Sequence, residues 1–323
     1  MQDGQGRTID YLRLSVTDKC NLRCQYCMPE EGVCALRHED MLRHEEILRC
    51  CTILARMGIR KLKITGGEPL IRKNIESLLH TLYAIDDIEQ MTLTTNGQSL
   101  EEKLPALVKA GVSAINISLD TLDAETYASL TRGGDLRRVI RAVDAATEYP
   151  VTIKINCVAL HQSEKEILDL IDFAQTRHIL LRFIELMPIG LGKAFEGLSL
   201  NALRHIIEHA HGAGTQSAQR YGNGPARYYD YPGLATSIGF ISAVSEAFCS
   251  ECNRIRLTAD GDLKLCLHYE IGLSMKTLLR SDASDVEIEQ AILRALADKP
   301  KQHGFCSAQS GAVERHNMNR LGG

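Results

Sequence analysis

Residues 12–29 read LRLSVTDKCNLRCQYCMP, which places three cysteines directly after a short apolar run. Cys20, Cys24 and Cys27 follow a Cys-x3-Cys-x2-Cys spacing. Thiolates so close together can hold three corners of a cubane iron–sulfur cluster and leave its fourth iron open, whereas most structural zinc sites need a fourth protein ligand. The spacing alone therefore leaves one alternative, a zinc site that recruits a distant ligand such as His38.

A second group of cysteines lies in the stretch FCSECNRIRLTADGDLKLC, residues 248–266. It consists of Cys249, Cys252 and Cys266. The spacing suits an iron–sulfur cluster and a zinc ribbon completed by His268 about equally. Arg254 and Arg256 lie two positions apart, so on a strand both guanidinium groups point to one face beside the cysteines. Paired arginines suit bidentate contacts to phosphate, which favours a cluster next to an anionic substrate.

The cysteine content indicates metal binding and not a disulfide framework. Eleven cysteines in 323 residues are too few for a disulfide scaffold, and an odd number cannot pair completely. In a reducing cytosol, clustered cysteines are more often metal ligands or catalytic groups. The cysteines outside the two groups show no ligand spacing and are predicted to be small buried apolar side chains: Cys34, Cys50, Cys51, Cys157 and Cys306.

Composition excludes several classes of protein. Apolar residues make up 44% and charged residues 24% of the chain, which is typical of a globular protein and not of a disordered one. The net charge of −4 is too close to neutral for a nucleic-acid-binding surface. No apolar run approaches the ~18 residues of a membrane span, and the first residues lack a secretory signal. We therefore expect a cytoplasmic protein that binds neither nucleic acid nor a membrane.

Short β-rich runs alternate with amphipathic helical stretches along the first part of the chain. One helix is predicted to stop at Gly58, and two others to open with the capping boxes Ser99-x-x-Glu102 and Ser163-x-x-Glu166. The β-rich runs occupy residues 11–16, 61–65, 91–95, 114–119, 151–158 and 179–185. Such alternation implies right-handed βαβ crossovers and a parallel sheet. Because six units fall short of the eight in a closed barrel, the predicted fold is α/β, an open, partial TIM-like βα barrel.

The pattern changes after about residue 190. We therefore predict two regions, a partial barrel over 1–190 and a C-terminal region over 191–323 that carries the second cysteine group. Residues 212–233 are rich in Gly, Pro, Tyr and Ser and are predicted to form a long loop. An acidic helix is expected over 285–298, and residues 299–323 show no periodicity and are expected to be mobile at the tip.

The first cysteine group resembles the signature of the radical S-adenosylmethionine (SAM) enzymes, which has an aromatic residue at the position of Tyr26. The turn Gly66-Gly67-Glu68-Pro69, after the second β-rich run, resembles the glycine-rich turn of that family near the methionine end of SAM. Glycine there permits close backbone approach and is expected to leave N–H groups free for SAM. The resemblance implies a 4Fe-4S cluster whose open iron is chelated by SAM.

Taken with the second cysteine group, the sequence resembles the GTP 3′,8-cyclases of molybdenum-cofactor biosynthesis (MoaA type). The resemblance runs from about residue 10 to residue 269 and resumes at the terminal Leu-Gly-Gly. Its motifs are LRLSVTDKCNLRCQYCMP, ITGGEPLIR, TTNG, SLD, RFIELMPIG and CSECNRIRL. The chain contains no Walker A motif and no G-x-G-x-x-G, so a triphosphate must be recognised by cationic side chains.

The resemblance implies a role for individual residues. The cluster ligands are Cys20, Cys24 and Cys27 for the SAM cluster and Cys249, Cys252 and Cys266 for a second 4Fe-4S cluster. SAM contacts are implied for Tyr26, Gly67, Ser118 and Met187. GTP contacts are implied for Arg13, Lys63, Thr94, Lys154, Arg254 and Arg256. A catalytic role is implied for the first three cysteines, for Arg254 and Arg256, and for Gly322 and Gly323 at the end of the chain.

Two lysines support this interpretation independently of the resemblance. Lys63 and Lys154 lie in predicted strands, where an inward-facing lysine is costly unless an anion pairs with it. An outward-facing position is the alternative.

The implied reaction abstracts hydrogen from C3′ of GTP, after which C3′ bonds to C8 of guanine. The implied partners are GTP, an electron donor and a downstream cyclic pyranopterin monophosphate synthase, and a homodimer is left open. Two alternatives remain at this point: another radical SAM enzyme with an auxiliary cluster, such as a peptide-modifying maturase, and a zinc-stabilised module without catalytic activity.

Overall fold

A single twelve-stranded sheet organises the computed structural model, which describes residues 1–305 and 313–322. The strands are β1 (Tyr11–Ser15), β2 (Lys61–Thr65), β3 (Gln90–Thr95), β4 (Val112–Ser118), β5 (Thr152–Ala159), β6 (Leu180–Glu185), β7 (Thr215–Gln216), β8 (Arg227–Asp230), β9 (Ile238–Ile241), β10 (Arg254–Leu257), β11 (Asp262–Lys264) and β12 (Gly272–Ser274). The six β-rich runs of the sequence correspond to β1–β6, with ends that differ by at most two residues.

The order of the strands confirms an open α/β barrel. The order is β12-β11-β10-β1-β2-β3-β4-β5-β6-β9-β8-β7, and every neighbouring pair from β10 to β9 is parallel. The strands β9 and β10 therefore add one parallel strand to each edge of the six βα units. Antiparallel pairs complete the two ends of the sheet. The sheet thus continues across the division predicted near residue 190.

The helices pack on the sheet, and two of the three helix ends predicted from the sequence are found in the structure. They are α1 (His44–Arg56), α2 (Ile75–Tyr83), α3 (Leu100–Lys109), α4 (Ala124–Thr131), α5 (Leu136–Thr147), α6 (Glu164–Gln175), α7 (Leu200–His211), α8 (Met275–Arg280), α9 (Asp285–Ala297) and α10 (Met318–Leu321). Gly58 follows α1 with φ of +114°, as its predicted role at a helix end requires. None of the helices in the described ranges is long and apolar enough to cross a bilayer.

One of the two predicted capping boxes is correct. The Ser163 hydroxyl accepts a hydrogen bond from the Glu166 N–H, and the Glu166 carboxylate accepts one from the Ser163 N–H. The box predicted at Ser99 is wrong, although α3 does begin at the next residue. Ser99 has ψ of 14°, outside the extended region of an N-cap residue, and its side chain makes no cap hydrogen bond.

The predicted long loop at residues 212–233 contains two short strands, so that prediction is wrong in part. Strand β8 pairs antiparallel with β9, and β7 pairs with β8. Tyr228 is buried, and the ring of Tyr229 contacts Phe240 edge to face at 5.6 Å between centroids. The strands form because β9 would otherwise expose unpaired backbone groups at the sheet edge, a non-local cause that the glycine-rich composition conceals.

Burial of the remaining cysteines follows the prediction with one exception. Cys50, Cys51 and Cys157 are buried as predicted, and Cys306 lies outside the described residues. Cys34 is exposed, because it lies in an irregular segment between β1 and α1 that packs no apolar face. The predicted acidic helix is confirmed as α9, which buries Ile288, Ile292 and Leu296 and lies against α1.

Candidate active site

The first cysteine group occupies the loop that leaves the carboxyl end of β1. Cys20, Cys24 and Cys27 are half-buried free thiols. Burial raises the pKa of Cys20 to about 11, and burial followed by the neighbouring Cys27, Asp120 and Cys20 raises that of Cys24. The three thiols are therefore close enough for the negative charge of one thiolate to disfavour ionisation of the next. Such an arrangement suits thiolates that share a positively charged metal centre.

Backbone N–H groups point at these sulfur atoms. The Leu22 N–H donates to Cys20 Sγ at 3.4 Å, and Cys27 has a backbone hydrogen bond from Asn319 in α10. Hydrogen bonds to sulfur are among the means by which proteins tune iron–sulfur clusters. Three free, half-buried thiols with N–H donors therefore fit a cluster with three cysteine ligands.

Neither cysteine group has the geometry of a single-ion site. Among residues 1–305 and 313–322, no three His, Cys, Asp or Glu side chains converge as the ligands of one metal ion do. The cysteines of a cubane each bind a different iron, so their sulfur atoms need not converge on one point. His268, the candidate fourth zinc ligand, instead packs edgewise on Tyr269 and Phe305, at 4.5 and 4.7 Å between ring centroids.

The glycine-rich turn lies against the first cysteine loop, but not in the way that we predicted. Close backbone approach is confirmed, since a Cβ on Gly67 would lie 2.2 Å from the Lys19 carbonyl oxygen. The expectation of free N–H groups is wrong for two residues: the Gly67 N–H donates to Thr17 O at 2.7 Å and the Glu68 N–H to Lys19 O at 2.8 Å. The turn uses these donors to hold the loop that carries the cysteines.

Glu68 is a buried carboxyl group between this turn and the end of β3. It accepts hydrogen bonds from the N–H groups of Leu70 and Asn96 and from the Thr95 hydroxyl, at 2.7–3.0 Å. Burial raises its pKa to about 7 in spite of these donors. The carboxyl group is thus able to change its charge near neutral pH beside the cysteine loop.

The other residues that the resemblance assigns to SAM lie on different elements. The Tyr26 hydroxyl donates to Asp120 Oδ2 at 2.8 Å, which ties the cysteine loop to the segment after β4. Ser118 is half-buried at the carboxyl end of β4. Met187 follows β6 and lines the main cavity of the molecule, whereas the first cysteine group does not.

The main cavity lies inside the open barrel and brings together all six residues assigned to GTP. They are Arg13 on β1, Lys63 on β2, Thr94 on β3, Lys154 on β5, and Arg254 and Arg256 on β10. The second cysteine group lines the same cavity. The inward orientation predicted for Lys63 and Lys154 is confirmed, and the arginines that lie two positions apart do face the same side.

Several of these cations lie close enough to disfavour one another's charged form. Burial, and then Arg182, lowers the pKa of Lys63 well below its usual range and that of Lys154 to about 8. In the described ranges, no carboxylate lies within ion-pair distance of Lys63, Lys154 or Arg256. Buried unpaired charge is unfavourable, so an anion that enters the cavity recovers this energy.

The sequence analysis missed one central cation, Arg182 on β6. Its guanidinium donates to Asn156 Oδ1 at 2.9 Å from Nε and to Asn116 Oδ1 at 2.7 Å from Nη2. The signal was available, because an arginine within the apolar run ILLRFIE resembles the lysines of β2 and β5. Arg7, Lys264 and Lys299 also line the cavity and were missed, since no local pattern distinguishes them from surface cations.

The described end of the chain reaches into the cavity. The Gly322 carbonyl accepts hydrogen bonds from Arg256 Nη1 at 2.7 Å and from Arg13 Nη2 at 3.3 Å. Gly322 has φ of +76°, and a Cβ there would lie 2.8 Å from Thr65 Cγ2. The region that we expected to be irregular therefore contains α10 and a buried glycine. Gly323, the other glycine of the prediction, lies outside the described residues.

Comparison with known proteins adds the family context. Residues 14–174 match the Radical SAM superfamily, and residues 179–305 match the family Molybdenum Cofactor Synthesis C. The chain is 41% identical over 324 residues to a GTP 3′,8-cyclase of Clostridium perfringens (strain SM101 / Type A), and 40% identical over 328 residues to one of Pelotomaculum thermopropionicum. Each alignment covers 100% of both chains.

Among solved structures, the chain resembles Streptococcus suis SuiB bound to S-adenosylmethionine, with a TM-score of 0.63 and 18% identity. That match covers 91% of this chain and 66% of SuiB. It also resembles anSMEcpe with bound AdoMet, with a TM-score of 0.60 and 16% identity over 96% of this chain and 93% of the other. At these identities the likeness shows the fold alone.

Proposed function

The chain belongs to the GTP 3′,8-cyclase family of radical SAM enzymes, and we propose that it binds GTP between two 4Fe-4S clusters. The proposed product is (8S)-3′,8-cyclo-7,8-dihydroguanosine 5′-triphosphate, at the first step of molybdenum-cofactor biosynthesis. The observation that carries the proposal is one cavity in which several buried cations and the second cysteine group lie together.

The first cysteine group is proposed to hold the cluster that binds SAM. Cys20, Cys24 and Cys27 supply three thiolates, and the N–H groups that point at them stabilise their negative charge. When bound, the reduced cluster and SAM would supply the 5′-deoxyadenosyl radical that abstracts hydrogen from C3′ of GTP. Ser118 and Met187 lie at the carboxyl ends of β4 and β6, where barrels of this kind carry their chemistry.

The triphosphate is proposed to bind the cations that project inward from β1, β2, β5 and β10. Arg13, Arg254 and Arg256 present planar guanidinium groups, which suit bidentate contacts to phosphate oxygens. Lys63 and Lys154 add compact charges from β2 and β5. Because the strands hold these side chains in the cavity before the ligand arrives, we expect little rearrangement of the backbone on binding.

The second cysteine group is proposed to hold an auxiliary cluster with an open iron that faces guanine. Cys249, Cys252 and Cys266 would supply its ligands, and the His303 N–H donates to Cys249 Sγ at 3.4 Å. If the triphosphate and the base are held at two points, the ribose is fixed between them. Two carbons of one molecule, C3′ and C8, then lie in a near-attack geometry, which lowers the entropic cost of ring closure.

Anaerobic reconstitution followed by incubation with SAM, dithionite and GTP tests the proposal. We expect about eight irons per chain, the content of two cubanes, and a product with the mass of GTP that forms only from GTP among the nucleoside triphosphates. Protein that holds only zinc would support the non-catalytic module. Two clusters and SAM cleavage without conversion of GTP would support another radical SAM enzyme.

Two cysteine variants separate the roles of the groups. Cys24→Ala is expected to abolish formation of 5′-deoxyadenosine, because the first cluster loses a ligand. Cys266→Ala is expected to preserve much of that cleavage while it blocks conversion of GTP. If Cys24→Ala still yields 5′-deoxyadenosine with dithionite, the assignment of the first group is wrong. The electron donor, the downstream synthase that accepts the product and the oligomeric state stay predictions.

A further inference from the structure

The two cysteine groups lie in opposite electrostatic surroundings. Buried carboxyl groups flank the first group. The charge of Glu68 acts on Cys20, and the charge of Asp120 acts on Cys24. Buried cations flank the second group. The charges of Lys299, Arg254 and Arg7 all act on Cys252. The difference bears on how easily each site accepts an electron.

Lys299 bonds to both chain segments that carry the second cysteine group, the one with Cys252 and the one with Cys266. Its side chain is buried, with only 3% of the residue exposed. Its ammonium donates to the carbonyl of Arg254 at 3.1 Å and to the carbonyl of Leu265. These carbonyls lie two residues after Cys252 and one residue before Cys266, so the ammonium bridges the two segments that carry the ligands.

Lys299 makes no ion pair among the described residues, although the charge of Asp3 acts on it at longer range. Within the part of the chain that the structure describes, no carboxylate lies at ion-pair distance from Lys299. Arg7, another largely buried cation at this site, does have such a partner: its Nε pairs with Asp3 at 2.7 Å. Burial lowers the pKa of Lys299, and the groups that act most strongly against this are Cys252 and Cys266.

Arg7 fixes the segment that carries Lys299. Its guanidinium donates to the carbonyls of Cys249 and Pro300, each at 2.8 Å. Arg7 therefore holds both Cys249, the first cysteine of the second group, and Pro300, the residue after Lys299. The position of the ammonium beside the cysteines is therefore built into the packing and does not depend on a flexible side chain alone.

We propose that Lys299 is a positioning residue whose buried charge stabilises the reduced form of the auxiliary cluster and raises its reduction potential relative to the SAM cluster. The inference rests on the proposed function, because it requires both groups to hold clusters. A cluster gains one negative charge when it takes up one electron, and a fixed cation in a medium of low dielectric constant favours that state. The carboxyl groups beside the SAM cluster act in the opposite direction.

The test is a redox titration of the reconstituted holoenzyme with dithionite as the reductant, monitored by electron paramagnetic resonance. The same titration of Cys24→Ala assigns the auxiliary signal. Lys299→Met removes the charge and keeps an apolar chain of similar length, and Lys299→Arg keeps the charge. Lys301→Met is the matched control, because it makes the same change in net charge at an exposed position of the same segment.

With Lys299→Met, we expect the ratio of reduced to oxidised auxiliary cluster at a fixed potential to fall about tenfold, which is about 59 mV for a one-electron couple. The SAM cluster, Lys299→Arg and Lys301→Met should show no comparable change. An unchanged auxiliary potential in Lys299→Met with full iron content overturns the inference. If that variant loses the auxiliary iron, Lys299→Gln, which keeps hydrogen-bond donors without charge, is titrated instead, and an unchanged potential there overturns it equally.

The iron content and 5′-deoxyadenosine formation of the wild-type protein test the proposed function separately. Two clusters with SAM cleavage and GTP conversion, but equal potentials in all variants, would refute the role of Lys299 alone. Absence of the second cluster from the wild-type protein would instead refute the proposed function.

Discussion

Lys154 offers the sharpest test of the cation-lined cavity, because its charge is predicted to depend on pH and on bound GTP. Its side chain is 6% exposed, and its ammonium donates to the Tyr221 carbonyl at 2.5 Å. Burial, and then the charge of Arg182, lowers its pKa to about 8 from an ordinary value of 10.5. At about 1.36 kcal/mol per pKa unit, the empty cavity disfavours the charged lysine by about 3 kcal/mol.

The sign of the pH dependence follows from this depression. Below pH 8 the lysine is charged in both folded and unfolded chains, and the folded state bears the full cost of the buried charge. Between pH 8 and pH 10.5 the folded chain binds fewer protons than the unfolded chain, so its stability rises with pH. A bound triphosphate has the opposite effect, since it favours the charged form and returns the pKa toward its ordinary value.

GTP binding is therefore expected to take up a proton. At pH 8 the free lysine is about half protonated, so Lys154 should contribute an uptake of about half a proton per GTP. Above pH 8, each further pH unit should weaken GTP binding by as much as about tenfold. Isothermal titration calorimetry in buffers of different ionisation enthalpy measures the uptake, and the same titrations from pH 7.5 to 9.5 measure the affinity.

Two variants isolate the contribution of this lysine. Lys154→Arg keeps the charge but does not titrate, so proton uptake should fall by the share that Lys154 contributes, while the affinity at pH 7.5 is retained within a few fold. Lys154→Met should lose both this share of the uptake and about 1.5–3 kcal/mol of binding, the contribution of a charge-assisted hydrogen bond. Equal proton uptake by wild-type protein and Lys154→Arg at pH 8 would refute the reasoning.

Three further predictions test other parts of the site. Gly67→Ala should lower the iron content by about half and abolish SAM cleavage, because the added Cβ would lie 2.2 Å from the Lys19 carbonyl oxygen in the first cysteine loop; full iron content would contradict this. Gly322→Ala, at φ of +76°, should cost about 1–2 kcal/mol and slow GTP conversion about tenfold, with iron and 5′-deoxyadenosine formation unchanged; an unaltered rate of product formation would count against a role for the tail. Arg256→Ala should raise KM for GTP about 10–150-fold and leave KM for SAM unchanged, through the loss of charge-assisted hydrogen bonds; equal effects on both substrates would argue against triphosphate binding.

Much of the barrel could be predicted because its signals are local. The strands β1–β6 are short runs rich in β-branched and other apolar residues, the α6 cap depends on residues three apart, and the cysteine spacing of the first loop lies within eight residues. Lys63 and Lys154 were identified for the same reason, since a charge within a buried strand is unfavourable wherever it occurs. The cap at Ser99 shows the limit of this approach, because the same residue pattern occurs there with a different backbone conformation.

The sequence by itself determined the alternation of strands and helices, the two cysteine groups and the cations available for an anionic substrate. Backbone preferences and short-range spacing set these properties, so they can be recognised without knowledge of the partners. Only the tertiary structure decided that β9 and β10 extend the two edges of one sheet, that Arg182 joins the cations, and that Gly322 meets Arg256. These contacts join residues far apart in the chain, and the register of the sheet and the burial of charge determine them together.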